Sequence, residues 1–233
     1  MAITYGTITT DYDTSNPTVD GFNHDNGGAD ALIVVYIPLV DGGNGVTGVT
    51  YNSVSLTEIG VSDSNTNPSP EIWAGYLLSP ASGTNSVVVT ETTGPRAFVT
   101  YAIPVSGLDE ADFPGAIATD SGTDVGTEVS SALTTETDGS DHFLVAGFRD
   151  GTNAPPLSPG TGMTELAEQA SGTSTSSDLV VGLYYKTVAT AGSSTATADA
   201  SSSETNKGLS FEIKVGAGGG GSSASPAASM LGL

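Results

Sequence analysis

The residues best equipped for chemistry are acidic and lie near the N-terminus. Asp11-Tyr-Asp13-Thr-Ser15 spaces side-chain oxygens two residues apart, as the opening of a calcium-binding loop does. Asp20, Asp25 and Asp30 follow, with Gly27-Gly28 freeing backbone carbonyls beside them. The spacing then fails, because the sixth position from Asp11 is Asn16 where a glycine is needed. The twelfth is Phe22 where a bidentate glutamate is needed. The segment therefore reads first as an acidic loop, with Asp11, Asp13, Asp20 and Asp25 as the ligands of any loosely held calcium ion.

Other constellations lead no further. His24 and His142 are the two imidazoles. Ser140-Asp141-His142 contains the letters of a hydrolytic triad, but successive strand residues point to opposite faces, and no Gly-x-Ser-x-Gly turn occurs. Both histidines read as structural or solvated. Glu58, Glu71, Glu165 and Glu212 could supply a glycosidase pair, yet solvent-face positions beside strand cores account for them equally well. Tyr51, Tyr76 and Tyr184 could line a sugar groove, although at strand spacing such rings more often serve as core or cross-strand partners. Phosphate-loop, dinucleotide, zinc and Cys-x-x-Cys signatures are absent from the sequence. The expectation is a protein without catalytic residues and without a cofactor.

The elements that would position these residues are strands. Glu71 to Val89 reads as two strands around the polar Ser82-Gly-Thr-Asn85 turn, a buried hairpin holding the single tryptophan, Trp73. Ile3 to Thr10 alternates as an edge strand, and Asp11 to Asp30 is too rich in turn formers for regular structure. Ala31 to Val40 is almost continuously apolar, which predicts a central strand covered on both faces, with Pro38 marking where pairing ends or changes. Val46 to Tyr51 and Val54 to Val61 flank an Asn52-Ser53 turn, and Ala97 to Val105 forms a further strand. Ser106 to Gly126 reads as loose, and Thr127 to Thr135 resumes the strand pattern.

The pattern then recurs. Residues 30–35 match 141–146, 56–59 match 163–166, 72–89 match 180–197 and 99–105 match 209–215. Four matched elements in one order predict two equivalent halves, about 30–105 and 141–215, within a single jelly-roll-like β-sandwich spanning 1–215. Superposed on that match, Trp73 should fall on Val181 and Ile103 on Ile213.

Composition narrows the class further. The chain has 233 residues with 31 Gly, 12 Pro and many Thr and Ser, which suits short strands and frequent turns. Five Lys and Arg against 26 Asp and Glu give a net charge of −21, which repels a phosphate backbone and argues against nucleic-acid binding. There is no cysteine, so burial must stabilise the fold. The N-terminal residues lack a signal-peptide pattern and no stretch has the apolar length of a membrane span, so the expectation is a product made in the cytoplasm without a membrane contact. From residue 216 the composition becomes a Gly/Ser-rich flexible linker that ends in Met230-Leu231-Gly232-Leu233. Met230, Leu231 and Leu233 are the expected assembly contact, an apolar tip on a tether reaching about 20 Å.

ALIVV (31–35), VTYNSVSLTEIG (49–60), EIWAGYLLSPASGTNSVVV (71–89) and AFVTYAIPVSGLD (97–109) resemble a β-sandwich module of bacteriophage virion proteins, found also in some bacterial surface proteins. The likeness covers residues 30–215 and rests on hydrophobic patterns with a Gly-Thr-Asn turn. It carries no catalytic residues to transfer, and the chain differs from larger members of the group in showing no second domain. The resemblance implies a non-enzymatic virion structural protein, made in the host cytoplasm and placed on the particle's outer surface as a decoration, cement, head or tail component. Its partners would be other virion proteins or copies of itself. The alternative is a carbohydrate-binding or host-attachment module that takes a surface glycan through loops at one end of the sandwich.

Overall fold

The computed structural model describes residues 2–14, 17–40, 45–63, 69–119, 124–150, 156–172 and 178–216. Along them run β1 (Thr4–Tyr5), β2 (Thr9–Asp13), β3 (Val19–Asp25), β4 (Ala31–Val40), β5 (Val46–Tyr51) and β6 (Val54–Ser55). There follow β7 (Thr57–Ser62), β8 (Ser69–Pro70), β9 (Ile72–Leu78), β10 (Thr84–Glu91) and β11 (Ala97–Ser106). A 3₁₀ turn at Glu110–Asp112 precedes β12 (Ile117–Thr119), β13 (Asp124–Thr135) and β14 (Ser140–Asp150). The last strands are β15 (Leu157–Pro159), β16 (Thr164–Ala170), β17 (Asp178–Val188) and β18 (Gly192–Ile213). Among the described residues there is no α-helix, and the protein is all-β, as its composition predicts.

The strands form three antiparallel sheets. Sheet I runs β1-β11-β4-β9-β7, with β2 also on β11 and β8 on β4. Sheet II runs β3-β10-β5-β6, and sheet III runs β12-β18-β14-β17-β16, with β13 and β15 also on β18.

The layering follows from β4, which is buried at every position. A strand apolar on both sides needs a neighbour over each face. Its residues Ala31, Ile33, Val35 and Ile37 pack with Phe143, Val145, Leu209 and Phe211 of sheet III. The alternate residues Leu32, Val34 and Tyr36 pack with Val49, Tyr51, Val87 and Val89 of sheet II. Sheets I and III are also tied by polar contacts: the Tyr101 hydroxyl donates to Val181 O at 2.9 Å, and the Tyr5 hydroxyl to Asp141 at 2.8 Å. On the far face of sheet III, β13, β15 and the first half of β18 fold back as a fourth layer. There Val129, Leu157, Ala196 and Ala198 cover Leu144, Phe148, Val180 and Tyr184.

Sheets I and III share one strand order, β11-β4-β9-β7 against β18-β14-β17-β16. The residue-by-residue match expected from the sequence does not hold within it. Trp73 lies in the core beneath sheet II, whereas Val181 lies in the core between sheets I and III. Ile103 pairs with Ile33, but Ile213 pairs with Asp141.

The predicted Trp73 hairpin is the largest departure. β9 pairs with β4 and β7 in sheet I, while β10 pairs with β3 and β5 in sheet II, so the connection between them crosses from one layer to the next. Asn85 holds that crossing, its Nδ2 donating to Ser82 O at 3.2 Å and Gly83 O at 3.1 Å. The physical reason lies in burial: Val87 and Val89 alternate with the exposed Ser86 and Thr90, a half-buried pattern that suits an outer sheet.

Further stretches differ from expectation, among them Ser106 to Gly126, read as loose, which holds β12 and the start of β13. Asp11 to Asp30, read as irregular, contains the end of β2 and all of β3. Val54 to Val61 breaks at Leu56, so that β6 stays in sheet II and β7 joins sheet I. The Asn52-Ser53 turn is as expected, with both residues at positive φ (49° and 63°).

Trp73 is 5% exposed, its ring lies over Gly75, and its Nε1 donates to Glu58 Oε2 at 3.1 Å. A Cβ at Gly75 would come within 2.2 Å of the indole, so only glycine leaves the ring its place. Trp73→Ala should destabilise the protein by about 3–5 kcal/mol in urea unfolding, because the cavity adds to the lost transfer energy. Native emission should be blue-shifted; a maximum typical of water would show that the ring is solvated.

Candidate functional site

The structure divides the four predicted calcium ligands into two groups. Asp11 and Asp13 lie on β2 and Asp20 on β3, and Asp20 interacts with both. Burial, followed by the charge of Asp11, pushes the Asp20 carboxyl up to about 6. Asp25 stands at the other end of β3, paired with Thr84 where Asp20 pairs with Val89. Five residues of strand separate them by about 17 Å. Among the described residues no three acidic or histidine side chains stand close enough to hold a metal ion.

Asp25 belongs instead to a groove of about 440 Å³, whose walls include Thr4, Gly6, Thr7, Thr9, Asp25 and Asn26. The elements that shape it are β1, the start of β2 and the β3–β4 turn. Within the turn, Ala29 N donates to Asn26 O at 3.1 Å, Asn26 Nδ2 donates to Ala29 O at 3.2 Å, and Gly27 N donates to Asp25 Oδ1 at 3.0 Å. Gly27 and Gly28 both take positive φ there, 62° and 78°. Asn26 is 1% exposed and its Oδ1 has no hydrogen-bond partner. The lining contains hydroxyls, one carboxylate and one amide but no lysine or arginine, so its chemistry suits a neutral polyhydroxyl ligand better than an anion. Asn26 was legible in the sequence only as a turn residue.

The remaining candidates serve the core. His24 shares a hydrogen bond from Nδ1 with the Thr9 hydroxyl at 2.8 Å, and His142 shares one with the Ser194 hydroxyl at 2.9 Å. Burial, with Lys186 adding to it, pushes the His142 imidazole down to about 4, so it is neutral at pH 7. Asp141 turns away from His142 and accepts from the Tyr5 and Thr187 hydroxyls at 2.8 and 2.7 Å. Glu71 and Glu212, for which solvent faces and a glycosidase pair are equal readings of the sequence, are fully buried. Glu212 accepts from the backbone of Glu136 at 3.0 Å and of Thr137 at 3.1 Å, which ties β18 to the end of β13. Tyr51 and Tyr184 are buried, and Tyr76 packs edge-on against Phe113 at 4.9 Å, so none of the three rings lines a groove as a platform.

Sequence reasoning missed Glu91. It ends β10, is 7% exposed and faces Tyr36 and Asp20 between sheets I and II. Burial pushes its carboxyl up to about 7, with Asp20 adding to the effect and the Tyr36 hydroxyl opposing it. An inward-facing acid at the end of a Val-rich strand carries no pattern that marks it. The expected assembly contact, Met230, Leu231 and Leu233, lies outside the described residues.

No protein-family profile matches the sequence, and no curated protein matches it.

With Asp25 apart from the other three, and no three carboxylates among the described residues close enough to hold one ion, calcium should meet Asp11, Asp13 and Asp20 only as a loose counter-ion. An ion present at its own Kd stabilises by about 0.4 kcal/mol, which corresponds to a Tm shift of about 1–2 °C for a chain of this size. Calorimetry with calcium and with chelator should show that small shift, and Asp11→Asn should remove it. A shift of about 5 °C or more would mean a built calcium site.

Proposed function

We propose that the protein is a non-enzymatic structural component of an assembled particle, an outer-surface decoration or accessory protein of a bacteriophage virion. The carrying observation is the character of the two outermost layers. In sheet II, Thr84, Ser86 and Thr90 of β10 face outward, and in the fourth layer Glu128, Ser130 and Thr134 of β13 do the same. Both flanks of the molecule are therefore hydroxylic and acidic, which together with the net charge of −21 suits a surface turned to solvent and away from packaged nucleic acid. The large exposed apolar residues, Tyr12, Val19, Val54, Ile117 and Val125, are scattered over five strands and make no docking patch among the described residues.

Attachment then falls to the C-terminal segment. Val215 bridges to Leu108 and Gly216 N donates to Gly107 O at 2.8 Å, so the folded body extends to residue 216. The segment 217–233 has a Gly/Ser-rich composition and ends in Met230, Leu231 and Leu233. In this reading the strand order common to sheets I and III reflects two repeated halves that give the body its thickness, and the apolar tip docks on a neighbouring virion protein or a second copy.

The groove at Asp25 and Asn26 favours a second reading, a host-attachment module for surface glycans, because its hydroxyl, amide and carboxylate lining fits sugar hydroxyls. Trp73 is too deeply buried to serve as a stacking platform, so such binding would rest on hydrogen bonds.

Two measurements separate these readings. Deletion of residues 217–233 should leave the Tm unchanged and abolish co-sedimentation with tail-deleted particles supplied in trans; unaltered incorporation would refute the anchor. On a glycan array the intact protein should show no binding that Asp25→Asn or Thr7→Ala removes. Binding lost in both variants would establish the attachment reading in place of the structural one.

A further inference from the structure

We propose that a cleft between the edges of sheets I and II, with Glu58 and Trp73 in its wall, binds an aliphatic primary ammonium group, such as a lysyl side chain or a free alkylamine presents. The site shares no lining residue with the groove at Asp25 and does not involve the C-terminal segment.

The cleft lies where the two sheets part. β6 ends sheet II and β7 ends sheet I, and the chain passes from one to the other through Leu56, whose N donates to Val49 O at 2.9 Å. The space between these edges, about 230 Å³, is walled by the aliphatic Val46, Val49 and Leu56, the hydroxylic Thr47 and Ser55, and Glu58 and Trp73. Local features bring Glu58 there. The ladder between β7 and β9 shifts register between Glu58 and Gly60, so Ile59 joins the core between sheets I and III while Glu58 stays on the side of Trp73. Glu58 pairs with Gly75, whose missing side chain leaves room for the indole. The indole Nε1 then donates to Glu58 Oε2 at 3.1 Å and holds the carboxylate by one oxygen.

The lining selects both a head group and a stem. Glu58 carries the only charge in it, and no residue of the wall is a cation. Thr47 commits its hydroxyl proton to Thr90 O at 3.1 Å, so its oxygen can only accept. With Ser55 and Glu58 it provides acceptors on three side chains, which matches the three N–H donors of an ammonium. A quaternary ammonium has no donor to offer them, and an anion would meet both Glu58 and the field of a chain carrying −21. Val46 and Leu56 pack against the core that holds Val49, and the three present aliphatic surface to the methylenes behind the ammonium. An indole in the wall adds the preference of an aromatic ring for a cation.

The test uses the full chain at low ionic strength, with Nα-acetyl-lysine methylamide and n-butylamine as probes. Trp73 is the only tryptophan, so a single indole N–H resonance reports on the contact with Glu58. Both probes should shift that resonance saturably. The norleucine counterpart of the lysine probe, which keeps the stem and lacks the ammonium, should leave it in place. Glu58→Gln retains an acceptor for the indole and should weaken binding about tenfold. A Cβ at Gly48, in the wall of the cleft, meets nothing within 4 Å, so Gly48→Leu should fill the space and abolish binding with the Tm unchanged. Tighter binding of the lysine probe than of n-butylamine would identify the ligand as a partner's lysyl side chain, and the reverse order as a free amine. An unshifted resonance, an equal response to the norleucine compound, or binding unaltered in both variants would overturn the site.

Discussion

Ten consecutive buried residues, Ala31–Val40, leave β4 no face to give to water, and the stacking of the molecule answers that constraint. β11 runs beside it, buried over nine of its ten positions, so the middle of sheet I is apolar above and below. One sheet cannot cover two faces. Sheet II takes the side bearing Leu32 and Val34, and sheet III takes the side bearing Ile33 and Val35. The chain must then change layers repeatedly, between β6 and β7 and again between β9 and β10, because neighbouring segments of sequence are needed on opposite sides of β4.

Acidity sets the second constraint. A net charge of −21 with five cations leaves few counter-charges to take inside. The fold meets this in different ways. Glu212 is enclosed by backbone N–H donors, and Asp141 by two hydroxyls, one from each of sheets I and III. Lys214 pairs with Asp112 and Glu136 at 2.5 Å each, which raises its pKa through those two hydrogen bonds. Asp20 and Glu91, between sheets I and II, have no comparable donor set.

Much of the architecture was legible in the sequence because the signals concerned are local. Apolar runs mark β4 and β11, and Asn52-Ser53 marks a turn that closes at positive φ. Excess acid over base sets the sign of the long-range field, which needs no coordinates. The sequence by itself thus determined an all-β chain, the places of its most buried strands and the sign of its surface. Only the tertiary structure decided that β9 and β10 part company, that Asp25 sits with Asn26 in a groove while Asp11, Asp13 and Asp20 gather elsewhere, and that Glu91 faces inward. The reason is that a strand's sheet and a polar group's partners are supplied by residues far away in the chain. β3 illustrates it: Asp20 and His24 point inward alongside Phe22, so the alternation that would have revealed the strand is written in polar residues, and their burial acquires a meaning only once Thr9, Asp11 and Glu91 are brought beside them.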